Sequence, residues 1–387
     1  MKIVDVCAFY SPRGGGVKTY VSQKLAMAER MEQDITILAP ADEDSVVEFG
    51  PNARIQTIAS PRFPLDRKYW YFDDDERVLH AALDRLAPDL VEASSPWRSP
   101  LMVANWRPDI PKALIMHADP LSAYAYRWLE PLVSRETIDR RFAWYWNHLR
   151  QLGRLYDAIV CASEDLASRM KAGGVANVVT VPMGVEAQRF SSAKRNASLR
   201  AGLLAQCGLS SDATLLIAAG RLAPEKRLPM LVEAVTIAGR HRQVGLAIFG
   251  EGRDDANILR SIGGNPHIRL FHPERDRERF SSVLASADAF VHGCEAETFC
   301  MAAAEASASG VPVIVPDRGG AADFAKRQMG LSYRAADRAD LVRAILALPG
   351  SFAPRSTGYV ARAMDDHFAA LFAIYGNLIS GGHSQAA

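Results

Sequence analysis

Short aliphatic and β-branched runs alternate with longer stretches of helical period along the whole chain. In the first half the apolar runs are "KIVDVCAFY" (2–10), "DITILAP" (34–40), "DLVEAS" (89–94), "KALIMHA" (112–118), "AIVCAS" (158–163) and "NVVTVPMG" (177–184). The second half repeats the rhythm with "TLLIAAG" (214–220), "VGLAIFG" (244–250), "IRLFHP" (268–273), "DAFVHG" (288–293) and "VPVIVPD" (311–317). Helical period fills 18–30, 76–87, 135–154, 227–240 and 276–286. Strands that are apolar at successive positions, with helices between them, predict parallel sheets covered on both faces. The rhythm breaks between Glu186 and Ala213 into small and polar residues, read as a linker with a peripheral helix. Two doubly wound domains are therefore expected, at 1–185 and 186–356, facing each other across a cleft at their strands' carboxyl ends. A tail helix over 357–380 carries Met364, Phe368, Leu371 and Tyr375 on one stripe, and is expected to pack back on the first domain.

Length and charge narrow the picture. A chain of 387 residues suits two domains better than one. With 45 basic against 44 acidic side chains it has no whole-chain electrostatic footprint for nucleic acid. Five scattered cysteines (7, 161, 207, 294 and 300) form no C-x-x-C pair, which speaks against a disulfide framework or a zinc site. The first residues read as a strand, not a signal peptide, and no apolar run reaches the roughly 20 residues that span a bilayer. A soluble, cytoplasmic protein is expected.

Four stretches carry candidate chemistry. "SPRGGGVKTYV" joins the first strand to a helix, and its glycines let the backbone approach an anion at the helix N-terminus. A dinucleotide fingerprint fails there, because Thr19 occupies the third glycine position. "GRLAPEKR" places Arg221 and Lys226 on one loop, where a guanidinium fork and an ammonium can grip a diphosphate. A solvated basic loop is the plainer reading. "ETFCMAAAE" sets Glu297 and Glu305 at the ends of an apolar run. Eight positions along a helix would separate them by about 12 Å of rise, with free N–H groups at 299–301 between them. A capping carboxylate and an ordinary helix glutamate is the alternative. "FDDDE" (72–76) contains an Asp-x-Asp, but it precedes a helical pattern whose start favours carboxylates.

Together with "GEG" at 250–252 and "PMGVEAQRF" at 182–190, these elements resemble the retaining GT-B glycosyltransferases of the family-4 type, also called glycosyl transferases group 1. The resemblance covers most of the chain. It implies an α/β GT-B fold of two Rossmann-like doubly wound domains. It also implies metal-independent transfer of a hexose, with retention, from a nucleoside-diphosphate sugar to an acceptor hydroxyl. Carried over position by position, Arg221 and Lys226 are the diphosphate clamp, and Gly15 and Gly16 approach the donor phosphates. His117 and Glu297 position the sugar, and Glu305 meets the ribose. Gly250, Phe299, Cys300 and Met301 complete the donor-binding set. No cofactor and no metal is implied, and the donor is GDP-mannose or a UDP-hexose. Two positions depart from the pattern: Cys300 replaces a usual glycine, and "FHPERD" (271–276) replaces a glycine-bearing base-pocket segment. The rival readings are a non-catalytic sugar-nucleotide-binding protein and an NAD-dependent dehydrogenase.

The stretch "RRFAWYWNHLRQLGRLY" (140–156) packs Phe142, Trp144, Tyr145 and Trp146 among Arg140, Arg141, Arg150 and Arg154. One reading is a helix with its aromatics in the core. The other is a peripheral contact with an anionic membrane at its inner face, implying a lipid or lipid-linked acceptor.

Overall fold

In the computed structural model the described residues are 1–12, 15–64, 69–326, 330–349 and 361–384. They divide into two units, residues 1–119, 128–182 and 364–387 in the first, and 120–127 with 183–363 in the second.

The first unit is built on β1 (Lys2–Cys7), β2 (Asp34–Ala41), β3 (Ser45–Gly50), β4 (Ala53–Ala59), β5 (Leu90–Ser94), β6 (Lys112–Ile115), β7 (Ala158–Cys161) and β8 (Val178–Thr180). They lie in the order β3-β4-β2-β1-β5-β6-β7-β8, all parallel except the antiparallel β3–β4 edge. In β1 the successive residues Ile3, Val4, Asp5, Val6 and Cys7 are all buried, as in a strand covered on both faces. The second unit holds β9 (Thr214–Ala219), β10 (Val244–Phe249), β11 (Ile268–Phe271), β12 (Ala289–Val291), β13 (Val313–Pro316) and β14 (Gly330–Tyr333). Its order, β11-β10-β9-β12-β13-β14, is the doubly wound Rossmann arrangement. Strand order reverses beside β9, between β9 and β12. Beyond the carboxyl ends of those two strands lies the crevice such sheets offer to ligands.

Three strands escape the apolar reading. β3 is exposed along nearly its whole length, β4 mixes polar with apolar positions, and β14 is only "GLSY". None carries the unbroken apolar run of a strand buried on both faces. The stretch expected as one helix over 135–154 is two, Arg135–Arg141 and Ala143–Leu155, meeting at Phe142. The tail helix runs Met364–Ser384, while 357–360 lie outside the described residues. Its expected stripe is buried: Met364, Phe368, Leu371 and Tyr375 each expose 5% or less. Among the described residues no helix is long and apolar enough to cross a membrane.

Candidate functional site

In the second unit, the segments leaving β9 and β12 assemble a charged constellation. After β9 the chain passes Gly220 and Arg221, makes a short turn at Pro224–Lys226, and enters helix Leu228–Ala238. After β12 it runs through His292, Gly293, Cys294 and Glu295 to Glu297. The two segments touch at Gly293, where an added Cβ would lie 2.4 Å from the Lys226 carbonyl oxygen. Glycine there lets the loops close, and the Lys226 ammonium donates to Glu297 Oε1. His292 Nε2 stands 3.3 Å from the same oxygen. Next to this pair Arg227, in a left-handed conformation at φ 49°, donates through Nε to Glu295 Oε2 at 2.9 Å.

Electrostatics decides the charge states. Burial alone would raise the Glu297 carboxyl, but the Lys226 charge and the His292 contact override it and hold the group well below the usual carboxylate range. Burial alone would lower Lys226, and Glu297 reverses that shift. Glu297 is therefore a fixed acceptor and Lys226 a fixed cation. Arg221 differs: its side chain is 67% exposed and, among the described residues, pairs with Glu225 at 2.7 Å, so it can turn to an incoming anion. Gly220, Arg221, Lys226, His292 and Gly293 line one depression beyond the carboxyl ends of β9 and β12.

Gly250 closes the neighbouring side. A Cβ there would meet the Gly220 carbonyl oxygen at 2.1 Å, and the Leu222 amide donates to the Glu251 carbonyl at 2.9 Å. Behind them the rings of Phe249 and Phe271 stack at 4.9 Å.

The two glutamates do not share a helix. Helix Met301–Ala308 starts after Cys300, whose φ of 79° turns the chain sharply, so Glu297 lies in the preceding loop. The expected helical spacing between them does not apply, and Glu305 sits only about one turn into the helix. It is buried and accepts from Arg277, whose guanidinium lies 4.8 Å from the Phe190 ring centroid. Phe299 is buried edge-on against Phe324 at 5.4 Å, and Met301 opens the helix.

In the first unit, Gly15 caps helix Gly16–Arg30, and a Cβ on either glycine would meet nothing within 4 Å. Arg13 and Gly14 of the same turn lie outside the described residues. His117 follows β6 and packs edge-on against Tyr20 at 4.8 Å. Burial lowers its pKa to about 4, so the ring is neutral at pH 7. Deeper in this unit, Lys24 bridges Asp5 at 3.0 Å and Glu92 at 2.6 Å, all fully buried, with the Tyr375 hydroxyl donating to Glu92. This ion cluster ties β1, β5, helix Gly16–Arg30 and the tail helix together.

The structure thus groups Lys226 and Glu297 directly, with Arg221 beside them, and gives Glu305 a partner of its own in Arg277. Sequence reasoning missed His292, the Arg227–Glu295 pair, Arg277 and the Lys24 cluster. A polar residue at each strand end was the available signal for His292. Nothing local marked the long-range ion partners. For metal ligation, one nitrogen, oxygen and sulfur from His292, Glu297 and Cys300 lie within 4.8 Å of one another. In "FDDDE", Asp75 caps helix Glu76–Leu86 by accepting from the Arg77 amide at 3.1 Å, and Asp74 pairs with Arg98. In the aromatic stretch Tyr145 and Trp146 are buried, whereas Trp144 is 61% exposed, near Arg140 and Arg141 in sequence.

Two family models match the chain, "Glycosyltransferase Family 4" over residues 14–189 and "Glycosyl transferases group 1" over residues 204–348. A GDP-mannose-dependent alpha-mannosyltransferase of Mycobacterium tuberculosis is 29% identical over 330 residues, covering 84% of this chain and 81% of the relative. From the same species, a GDP-mannose-dependent alpha-(1-6)-phosphatidylinositol dimannoside mannosyltransferase is 27% identical, covering 81% and 79%. In fold, a sucrose-phosphate synthase of Thermosynechococcus elongatus superposes with a TM-score of 0.70 at 16% identity, over 100% of this chain and 98% of that one. An Escherichia coli structure with bound UDP-2-fluoro glucose superposes with a TM-score of 0.63 at 14% identity, over 99% and 97%.

Proposed function

The chain belongs to the family-4 glycosyltransferases and is a hexosyltransferase of the GT-B fold that uses a nucleotide sugar, and from that premise we propose that it transfers mannose from GDP-mannose, with retention and without a metal. The observation that carries this reading is the Lys226–Glu297 pair, set with Arg221 beyond the carboxyl ends of β9 and β12. A departing diphosphate needs cations positioned before the reaction, and here two stand on one loop. Preorganised charge at a leaving group is worth about 3 kcal/mol for each donor removed. Arg221 swings from Glu225 to the phosphates, while Lys226 bridges them and Glu297. Held ionised, Glu297 accepts hydrogen bonds from hydroxyls of the sugar and fixes its orientation. Glu305, presented by helix Met301–Ala308, accepts from the ribose, and Gly250, Phe299, Cys300 and Met301 shape the backbone around the nucleotide. The acceptor hydroxyl attacks the anomeric carbon from the face the diphosphate leaves, with no covalent intermediate on the protein.

For the first unit we assign substrate contacts to Gly15, Gly16 and His117, at the carboxyl end of its own sheet. The exposed Trp144, with Arg140 and Arg141, supports an anionic membrane surface as the acceptor's location. The donor is tested by a thermal-shift screen against GDP-mannose, UDP-glucose, UDP-galactose and UDP-N-acetylglucosamine, since a ligand of the folded state raises apparent stability. The largest shift belongs to GDP-mannose on this reading. A shift only with a UDP-sugar overturns the choice of base.

A further inference from the structure

We propose that His292, Glu297 and Cys300 form a binding site for a thiophilic divalent cation of the zinc type, whose occupancy excludes the donor. Imidazole nitrogen, carboxylate oxygen and thiol sulfur are the three ligand types zinc takes, and here one atom of each lies within 4.8 Å of the other two. Such a three-ligand set leaves a fourth position for water.

Two further observations point to a ligand. His292 is 95% buried, yet its Nε2 approaches Glu297 at 3.3 Å without reaching hydrogen-bond geometry. A polar atom so placed is poised for a partner the protein does not itself supply. Cys300, moreover, holds φ at 79°, a conformation glycine adopts freely and a side chain does not. The thiol is kept at a strained position, on the helix start that faces the Lys226–Glu297 pair. Access is from the Glu297 side, where that carboxylate is 23% exposed.

Binding has a definite balance. The Cys300 thiol loses its proton to solvent and the sulfur bonds to the cation. Glu297 gives up its contact with the Lys226 ammonium, which stays protonated and turns outward to solvent. Thiolate and carboxylate neutralise the two charges of the metal. Lys226 is thus the built-in competitor of the cation, and the donor competes because it uses Glu297 as well. That last point rests on the proposed donor site, whereas the metal site itself does not.

Cobalt(II) titration of the reduced protein separates the two. The expected result is a sulfur-to-cobalt charge-transfer band in the near ultraviolet, displaced by zinc and suppressed by GDP-mannose. Cys300→Gly removes the band, and His292→Gln weakens cobalt binding by more than the roughly 10- to 100-fold that loss of an outer-sphere partner costs. Lys226→Met tightens cobalt binding, an effect that a purely structural role for these residues would not produce. Absence of the band from the wild-type protein, or its persistence in Cys300→Gly, overturns the site. A band that GDP-mannose fails to suppress overturns the exclusion of donor, and a band in a protein without transferase activity sinks the mannosyltransferase reading while supporting the metal site.

Discussion

Lys226 donates its ammonium to Glu297 across 71 residues of sequence, and both side chains lie at the carboxyl ends of strands flanking the reversal of strand order in the second sheet. Neither group could be retained singly at such burial, because a charge removed from water needs a partner. The pair therefore reads as two halves of one device, an anion acceptor and a hydroxyl acceptor, each keeping the other ionised.

The two glutamates should fail in different ways. Glu297→Gln removes the acceptor from the sugar side and should lower turnover with little change in affinity for free GDP. Glu305→Gln releases Arg277 and should weaken GDP itself. Isothermal calorimetry with GDP distinguishes them, and equal weakening by both variants would show that the assignment of separate roles is wrong.

Chelation should leave transfer intact. The proposed partners of the diphosphate are Arg221, Lys226 and backbone N–H groups, which carry the charge a metal would otherwise supply. Rates are compared before and after EDTA. Loss of rate restored by magnesium or manganese would contradict the cationic clamp.

His117 gives a pH signature. Its pKa falls from 6.5 unfolded to about 4 in the folded chain, so the unfolded state binds the extra proton. Its contribution is present above pH 6.5 and is lost as pH falls toward 4, by up to about 1.4 kcal/mol per unit. Urea unfolding at pH 7 and pH 5 should show a smaller loss for His117→Gln than for the wild-type chain. Equal losses would mean that the ring titrates normally.

Salt-sensitive cosedimentation with anionic liposomes is expected, because Trp144, Trp128 and Leu132 are 61%, 60% and 80% exposed on the first unit. Replacing Arg140 and Arg141 by glutamate should abolish it. No binding at low salt, with full activity on a water-soluble acceptor, would remove the membrane from the account.

Much of this was legible in the chain. Buried parallel strands advertise themselves because both faces are apolar, so β1, β2, β9, β10 and β13 stand out in the sequence. The edge strand β3 does not, since it is exposed and its pairing comes from β4. Glu297 and Glu305 were legible as charges bounding an apolar run, and Arg221 and Lys226 as a basic loop following a strand. The partner of Glu305 was not: Arg277 lies 28 residues away in sequence and meets it through the fold of the second unit. The break at Phe142 was equally hidden, because helical period continues across it.

The clamp is the claim on which everything else depends, and release of GDP from GDP-mannose tests it most directly. Purified wild-type chain, Arg221→Ala and Lys226→Ala are compared at saturating donor, with circular dichroism confirming the fold of each. The account predicts GDP release by the wild type and a loss of roughly 10²-fold or more in each variant, the effect of removing one preorganised donor at a leaving group. Near-wild-type turnover by both variants would contradict it.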